Sequence, residues 1–343
     1  MFNEKNDKEY LLLTGRSDRR YFSGADIAEG YALYGKRKVY FTDARYFSAA
    51  KPELEKAGTE CVLSSGLSAV AEFLEAEKTE TLYADFNLLT VKEYRELENS
   101  VKKIEDGADY IAARRMIKTE AEIAEIKKAC KIAEDAYHAA ITLVKEGDTE
   151  ASLRDKIEKY MTDHGAEGVS FETIVAFGAG AAVPHHVTGG TVLKRGMPIL
   201  VDMGCKVNGY CSDMTRMAYF GTPSEKFVKA YDAVLKANLK AEELITSGTP
   251  AAEADKIARD ILTEAGYGDK FTHSLGHGVG LDIHERPAVS PRSKDTLVNG
   301  MVFTVEPGVY LDGEFGIRIE DTVYLKNDKV VRFFEDDKNL IIL

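Results

Sequence analysis

The hydrophobic pattern of the first hundred residues alternates between two periods. From Tyr10 to about Gly107, short apolar runs such as YLLLTG, KVYFTD and TLYADF are separated by stretches of helical periodicity, for example Val91 to Asn99. This alternation predicts a small α/β domain. It contains no phosphate-binding loop and no cluster of catalytic residue types, and we interpret Asp43 and Arg45 in TDARY as a structural pair.

A domain boundary is predicted between Asp106 and Lys118, which divides the chain into residues 1–110 and 111–343. Directly after it, Thr119 and Glu122 have the spacing of a capping box that opens a helix. The apolar residues that follow recur at helical spacing, so this helix is predicted to be long and to pack along one face.

The second part of the chain has an approximate internal repeat. A second helix is predicted to begin at Thr149, and another helix pair begins at Thr222-Pro223-Ser224-Glu225 and at Thr249-Pro250. Each pair is followed by glycine-rich strands that carry His, Asp and Glu. This order predicts a curved antiparallel sheet with helices on one side and polar residues converging on the other.

Two aspartates flank a predicted hairpin in the segment Ile199 to Arg216. Asn208-Gly209 suits a type I′ turn, which places Gly204 opposite Asp213. Because strand side chains alternate, Asp202 and Asp213 become diagonal neighbours on one face. The hairpin alone is also explained by two exposed aspartates beside a turn. Two carboxylates this close repel each other, however, and need a cation.

Histidines are concentrated in FTHSLGHGVGLDIHERP. His273 and His277 have the i, i+4 spacing of zinc ligands on a helix, but Gly276, Gly278 and Gly280 make a helix unfavourable here. No glutamate follows His273, so this is not the helical zinc-protease motif. A hydrogen-bonded core histidine explains His277 alone equally well.

Two glutamates lie inside apolar strand patterns, an unfavourable place for a carboxylate without a cation. Glu306 also fits a strand end, and Glu320 also fits an ion pair with Arg318. A tight turn at Asp312-Gly313 would place the two glutamates on opposite faces. We therefore predict a β-bulge at Pro307-Gly308 that restores the register.

Taken together, five residues form a carboxylate-rich set with one imidazole: Asp202, Asp213, His277, Glu306 and Glu320. Such a set matches two divalent ions such as manganese or cobalt. It is a poor match for a structural zinc site, which prefers cysteine and histidine.

Composition narrows the function classes. The net charge of −12 argues against a nucleic-acid partner. No apolar run approaches the roughly 20 residues that cross a membrane, and the polar N-terminus is neither a signal nor a transit peptide. The four cysteines show no disulfide or zinc-finger spacing. These features predict a cytoplasmic protein without a membrane partner.

At this point the chain resembles the pita-bread metallopeptidases (family M24), in the branch of Xaa-Pro aminopeptidases and Xaa-Pro dipeptidases (prolidases). The resemblance covers essentially the whole chain and implies a creatinase-like α/β domain followed by a pita-bread α+β catalytic domain. The motifs occur in family order: Asp202 with Asp213-Met214-Thr215-Arg216, His273-x-x-Gly276-His277-Gly278-x-Gly280, His284-Glu285-x-Pro287, Glu306-Pro307-Gly308 and Arg318-x-Glu320-Asp321.

The resemblance implies a role for each site residue. Asp213 and Glu320 would bridge two metal ions, with Asp202 on one ion and His277 and Glu306 on the other. A bridging water of lowered pKa would attack the scissile carbonyl, and Glu306 would accept and pass on its proton. His273 and His284 would hydrogen-bond the substrate and stabilise its oxyanion, and His185 would lie beside the substrate. His186 would support His185 or simply be packed, and Arg318 would orient Glu320 or contact the substrate. Structural packing is the alternative for His185, His273 and His284.

Two departures from the family pattern affect the expected subsites. Phe177-Gly178-Ala179-Gly180 stands where family members commonly have Ser-Gly-x-Asn, and Gly189-Gly190 replaces a polar pair after His186. None of these residues is an expected metal ligand. Phe177 either narrows the substrate pocket or fills core.

The predicted activity is hydrolysis of the bond between an N-terminal residue and proline in short peptides. Two manganese ions are expected, with cobalt or zinc as alternatives, and the family implies a homodimer. Dipeptidase and aminopeptidase activity both stay open. The rival functions are a pita-bread aminopeptidase without proline specificity, such as a methionine aminopeptidase, a creatinase-like hydrolase, and a non-catalytic binding module. The extra N-terminal domain argues against the first, and the intact ligand set against the other two.

Overall fold

The computed structural model describes residues 1–64 and 66–343, which form two units, residues 1–115 and 116–343. The first unit contains a six-stranded sheet of order β4-β3-β2-β1-β5-β6. Its strands are β1 (Glu9–Leu13), β2 (Tyr31–Gly35), β3 (Lys38–Thr42), β4 (Glu60–Leu63), β5 (Thr81–Ala84) and β6 (Lys103–Asp106). Its helices are α1 (Arg16–Ser23), α2 (Ala44–Lys56), α3 (Leu67–Ala76), α4 (Val91–Leu97) and α5 (Ala108–Met116).

Strand β1 shows why this sheet is buried on both faces. Leu11 and Leu13 belong to one hydrophobic cluster, and Tyr10 and Leu12 belong to another. Successive side chains of a strand point to opposite faces, so a continuous apolar run fills the core on both sides of the sheet. The predicted α/β organisation is confirmed, and Asp43 caps α2 and pairs with Arg45 at 2.6 Å.

The second unit begins with two helices, α6 (Glu120–Ile141) and α7 (Glu150–Asp163), and its second helix pair is α8 (Glu225–Leu244) and α9 (Ala251–Glu264). Thr119 and Glu122 form the predicted capping box of α6. The cap of α8 differs from the prediction. Ser224, not Thr222, accepts the hydrogen bond from Phe227 N, because the helix starts two residues later than the threonine-proline pattern indicated.

The strands of the second unit build a nine-stranded sheet of order β14-β13-β15-β18-β12-β9-β8, with β19 on β18 and β20 on β12. The strands before the second helix pair are β7 (Gly168–Val169), β8 (Ile174–Phe177), β9 (Met197–Met203), β10 (Cys205–Val207), β11 (Tyr210–Cys211) and β12 (Met214–Phe220). Those after it are β13 (Gly276–Gly278), β14 (Glu285–Val289), β15 (Val302–Val305), β16 (Gly308–Leu311), β17 (Phe315–Arg318), β18 (Glu320–Lys326), β19 (Lys329–Arg332) and β20 (Ile341–Ile342).

Two hydrophobic clusters hold the helix pairs on this sheet. One joins α8 and α9 to β15 and β18, and the other joins α6 and α7 to β9 and β12. The curved antiparallel sheet and the repeated helix pairs agree with the predicted architecture. Within the described ranges, no helix combines the length and the apolar composition that a bilayer crossing requires.

Candidate metal centre

The hairpin that carries the two aspartates has the predicted register. Asn208 (φ 45°) and Gly209 (φ 71°) both have positive φ, as a type I′ turn requires. Val207 pairs with Tyr210 and, farther from the turn, Thr215 pairs with Asp202. The same register places Gly204 opposite Asp213, so Asp202 and Asp213 are diagonal neighbours, as predicted.

Gly204 lets the two strands approach closely at this point. A Cβ atom at residue 204 would lie 1.9 Å from the carbonyl oxygen of Ser212. Any larger residue would therefore push the strands apart beside Asp213.

The hairpin that carries the two glutamates corrects one prediction. Val305 pairs with Asp321 on one side of them and Gly308 pairs with Arg318 on the other, without a shift of register. Glu306 therefore lies directly opposite Glu320. The predicted bulge at Pro307-Gly308 is wrong, because the turn contains three residues, 312–314, rather than two.

The predicted metal-binding side chains converge at the base of one cleft. Ligand atoms of Asp213, His277 and Glu320 lie within 4.8 Å of one another. His277 Nε2 lies 3.5 Å from Asp213 Oδ2 and 3.6 Å from Glu306 Oε1. The cleft has a volume of about 1010 Å³, and Asp202 lines it with these residues.

Burial and mutual repulsion shape the charge of this cluster. Burial, followed by the neighbouring carboxylates, raises the pKa of Asp213 and of Glu320 well above the ordinary values. Burial also raises the pKa of Glu306. Burial and the nearby His284 lower the pKa of His277 to about 4, so its imidazole is neutral near pH 7. The imidazole thus supplies a ligand nitrogen but no positive charge.

The donor set fits divalent cations. Asp202 Oδ1 is buried without a hydrogen-bond partner, although Oδ2 of the same carboxylate accepts from Arg318 Nη2 at 2.6 Å. A buried, unpaired carboxylate oxygen is costly unless a cation binds it. Carboxylate oxygens with a single neutral imidazole are the ligands that manganese-like divalent ions accept.

Arg318 has a different partner from the one expected. Its guanidinium binds Asp202, and its Nε donates to Thr215 Oγ1 at 3.1 Å. The Thr215 hydroxyl in turn donates to Glu320 Oε2 at 2.6 Å. Arg318 therefore orients Glu320 only through Thr215, a residue that the sequence reasoning missed. The signal was available in the sequence: Thr215 lies two residues after Asp213, and side chains two residues apart on a strand point to the same face.

Tyr310 is a second residue that was missed. Arg318 Nη1 donates to Tyr310 Oη at 2.9 Å, so the tyrosine hydroxyl proton is directed to His273 Nε2, 2.8 Å away. The other ring nitrogen, His273 Nδ1, lies 2.8 Å from the carbonyl oxygen of Ser274. Both nitrogens of His273 thus have protein partners.

The other predicted histidines line the same cleft. His284 is exposed, and its ring centroid lies 4.3 Å from that of His277. His185 is also exposed. His186 Nε2 lies 3.0 Å from Oε2 of the fully buried Glu150. Its support of His185 stays a prediction.

The structure shows whether Phe177 narrows the substrate pocket or fills core. Its side chain is only 1% exposed and packs in the core under α6 and α7, so it fills core and does not narrow the cleft. Its backbone N–H donates to Glu150 Oε1 at 2.9 Å, and Gly189 N donates to Glu150 Oε2 at 3.0 Å. Glu150 thus ties both unusual segments together.

Comparisons with known proteins agree with this architecture. Residues 124–327 match the model of metallopeptidase family M24, and residues 3–117 match the creatinase/prolidase N-terminal domain. The Xaa-Pro dipeptidase of Pyrococcus furiosus is 36% identical over 342 residues, which cover 99% of this chain and 97% of that protein.

Two solved structures share the whole fold. An Xaa-Pro dipeptidase from Bacillus anthracis is 35% identical, with a TM-score of 0.93 over 97% of this chain and 95% of its own. An X-Pro aminopeptidase from Thermotoga maritima is 33% identical, with a TM-score of 0.90 over 98% of this chain and 97% of its own. The chain belongs to metallopeptidase family M24, as its motifs predicted, and is an enzyme of that family.

Proposed function

We propose that this enzyme hydrolyses the peptide bond between an N-terminal residue and proline, using two divalent ions held at the base of the cleft. The observation that carries this proposal is the buried cluster of carboxylates around one neutral imidazole, with an unpaired oxygen on Asp202. Relatives that share nearly the whole chain are an Xaa-Pro dipeptidase and an X-Pro aminopeptidase, which supports proline as the substrate class.

Five side chains would hold the divalent ions: Asp202, Asp213, His277, Glu306 and Glu320. When bound, the divalent ions supply a water that is nucleophilic at neutral pH and polarise the scissile carbonyl. The protein around them fixes the ligands. Arg318 orients Asp202, Thr215 orients Glu320, and the hydroxyl of Thr304 lies 3.2 Å from Glu306 Oε1.

A carboxylate oxygen of Glu306 is the proposed acceptor for the proton that leaves the attacking water, and it returns this proton to the proline nitrogen. His284 is the proposed donor to the carbonyl oxygen of the substrate, because its ring is exposed beside His277. His185 is the proposed second contact to the substrate, because it is exposed and lines the same cleft. Direct contact of His273 with substrate stays a prediction, since both of its ring nitrogens have protein partners.

Proline requires this kind of site. Its nitrogen has no hydrogen to donate and its ring fixes φ, so a peptidase that recognises an ordinary backbone N–H does not bind it well.

We also propose manganese as the natural metal, a homodimer and a cytoplasmic location. The carboxylate-rich donor set favours manganese over zinc, and four cysteines without a disulfide fit a reducing compartment. The homodimer depends on family resemblance alone.

The test is hydrolysis of Ala-Pro and Ala-Pro-Ala by protein that has been stripped of metal and reloaded with Mn²⁺. We expect no activity in the stripped protein, recovery with Mn²⁺, and no recovery in Asp213→Asn. Cleavage of Ala-Pro alone would define a dipeptidase, and release of alanine from Ala-Pro-Ala an aminopeptidase. Cleavage of Ala-Ala in preference to both would contradict the proline specificity. Metal binding without any hydrolysis would contradict the enzymatic role.

A further inference from the structure

The strand ladder is interrupted beside both glutamates of the centre. Strand β15 ends at Val305 and β18 begins at Glu320. Between them, Pro307 has no N–H to donate. Among the residues that the structure describes, the backbone hydrogen bond that crosses this gap is a long one, from Ile319 N to Pro307 O at 3.4 Å. The backbone is therefore weakly fixed by the sheet at the point where the two carboxylates must be held.

One side chain bridges this gap from behind the sheet. Asn238, on α8, is fully buried, and its Nδ2 donates to Val305 O at 2.8 Å and to Ile319 O at 3.3 Å. These carbonyls belong to the peptide groups that precede Glu306 and Glu320. A single amide thus ties together the backbones of the two strands immediately before both glutamates.

The orientation of this amide is itself fixed. Asn238 Oδ1 accepts a hydrogen bond from the ammonium of Lys338, which is 2% exposed and also binds Glu242 at 2.9 Å. Since the ammonium can only donate, it determines which end of the amide faces the carbonyls. Lys338 has a φ of 58°, a left-handed conformation, and Tyr231 Oη donates to its carbonyl at 2.6 Å.

We propose that Asn238, oriented by Lys338, is a positioning residue that sets the spacing of Glu306 and Glu320 and thereby the affinity of the centre for metal. This inference rests on the proposed function, which assigns both glutamates as metal ligands. Residues that orient ligands from behind contribute on the order of 10–100-fold to metal affinity. A residue that only satisfies buried carbonyls would affect stability and leave this affinity unchanged.

The variant Asn238→Asp separates these two roles. It keeps the size of the side chain and an oxygen for Lys338, but it replaces the donor that faces Val305 O and Ile319 O by an acceptor. The matched control is Tyr137→Phe. Tyr137 is 2% exposed and its hydroxyl donates to Met217 O at 3.1 Å, so the control also removes a buried donor to a strand carbonyl, away from both glutamates.

The measurement is titration of each metal-free protein with Co²⁺, followed by the visible absorption of the bound ion, together with thermal unfolding of the metal-free forms. We expect Asn238→Asp to bind Co²⁺ on the order of 10–100-fold more weakly than the wild type, with an altered absorption spectrum. Tyr137→Phe should lose thermal stability but keep the affinity and spectrum of the wild type.

The inference is overturned if Asn238→Asp loses stability but binds Co²⁺ with the wild-type affinity and spectrum. If this variant does not fold, Asn238→Ser, which buries no additional charge, undergoes the same titration with the same two outcomes. Wild-type protein whose Co²⁺ binding is absent, or is unchanged by Asp213→Asn, would contradict the ligand assignment and the inference with it. If Co²⁺ binding is weakened by Asp213→Asn but not by Asn238→Asp, the ligand assignment stands and only the role of Asn238 is contradicted.

Discussion

The hydroxyl group of Thr215 offers the sharpest test of the centre. It is fully buried, accepts from Arg318 Nε at 3.1 Å and donates to Glu320 Oε2 at 2.6 Å. Thr215→Val retains the branched shape and removes both hydrogen bonds. The guanidinium and the carboxylate would then each have one buried polar atom without this partner.

The size of the effect follows from the charges involved. Hydrogen bonds to charged groups contribute about 1.5–3 kcal/mol each, and those between neutral groups about 0.5–1.5 kcal/mol. Thr322→Val is the matched control, because its buried hydroxyl also makes two hydrogen bonds, to the backbone N (3.2 Å) and O (2.8 Å) of Asp213. In the metal-free protein Arg318 is charged, whereas the raised pKa of Glu320 favours its neutral form. Thr215→Val should therefore lower the free energy of unfolding by about 1–1.5 kcal/mol more than the control.

Urea unfolding of the metal-free proteins, followed by circular dichroism, measures this difference. The two units can unfold separately, so the comparison uses the transition that both variants shift. Thr215→Val should also weaken Mn²⁺ binding, because Glu320 loses its orienting donor. Equal losses of stability in the two variants would refute the reasoning, since they would show that the charge on Arg318 does not strengthen the hydrogen bond that it donates to Thr215.

Two further predictions concern neighbouring positions. Burial, then the charges of Arg318 and His185, lowers the pKa of His273 from 6.5 to about 4, so its neutral form stabilises the fold above pH 6.5 and this stability is lost as the pH falls toward 4. Metal-free His273→Gln should therefore lose less stability than the wild type between pH 7 and 5 in urea titrations, and equal losses would contradict this. Gly204→Ala should lower both the melting temperature and the Mn²⁺ affinity, since its Cβ would lie 1.9 Å from Ser212 O, whereas Gly190→Ala, with nothing within 4 Å, should change neither.

The comparison of the two hairpins shows what the sequence can predict. Asn208-Gly209 has one strongly preferred turn geometry, so the register of Asp202 against Asp213 followed from local rules. Asp312-Gly313 fits both a two-residue and a three-residue turn. The choice between them shifts the register by one residue, which reverses the face of every side chain on the strand. The sequence therefore predicted that Glu306 and Glu320 lie on the same face, but not the three-residue turn that places them there.

The supporting polar residues were harder to predict than the ligands. Thr215, Tyr310 and Asn238 contact the centre through partners far away in sequence. Thr215 lies within a family motif but is not one of its expected ligands, and Tyr310 and Asn238 belong to no pattern of spacing that signals a function. Arg318 was predicted as a site residue. Its binding to Asp202 rather than to Glu320 depends on how two hairpins pack, because Arg318 and Asp202 are 116 residues apart in sequence. Motifs thus predict which residue types meet, whereas their pairing depends on tertiary structure.

The two faces of β18 give an independent argument for exchangeable cations. Glu320 and Asp321 are adjacent and both buried, yet they point to opposite faces of the strand. Asp321 pairs with Arg216 at 2.7 Å and with Lys338 and, although burial would raise its pKa, the charges of Arg216, Lys338 and Arg332 hold that pKa well below the usual range. On this face the protein supplies its own cations.

On the cleft face the balance is reversed. Glu320, Asp213 and Glu306 all have raised pKa values, because burial and their mutual repulsion exceed the opposing effect of Arg318, whose guanidinium is bound to Asp202. The same sheet can evidently neutralise a buried carboxylate with lysine and arginine, since it does so one residue away. The proposed role of these three carboxylates as ligands of divalent ions accounts for this difference, since cations that enter from solvent would supply the missing positive charge.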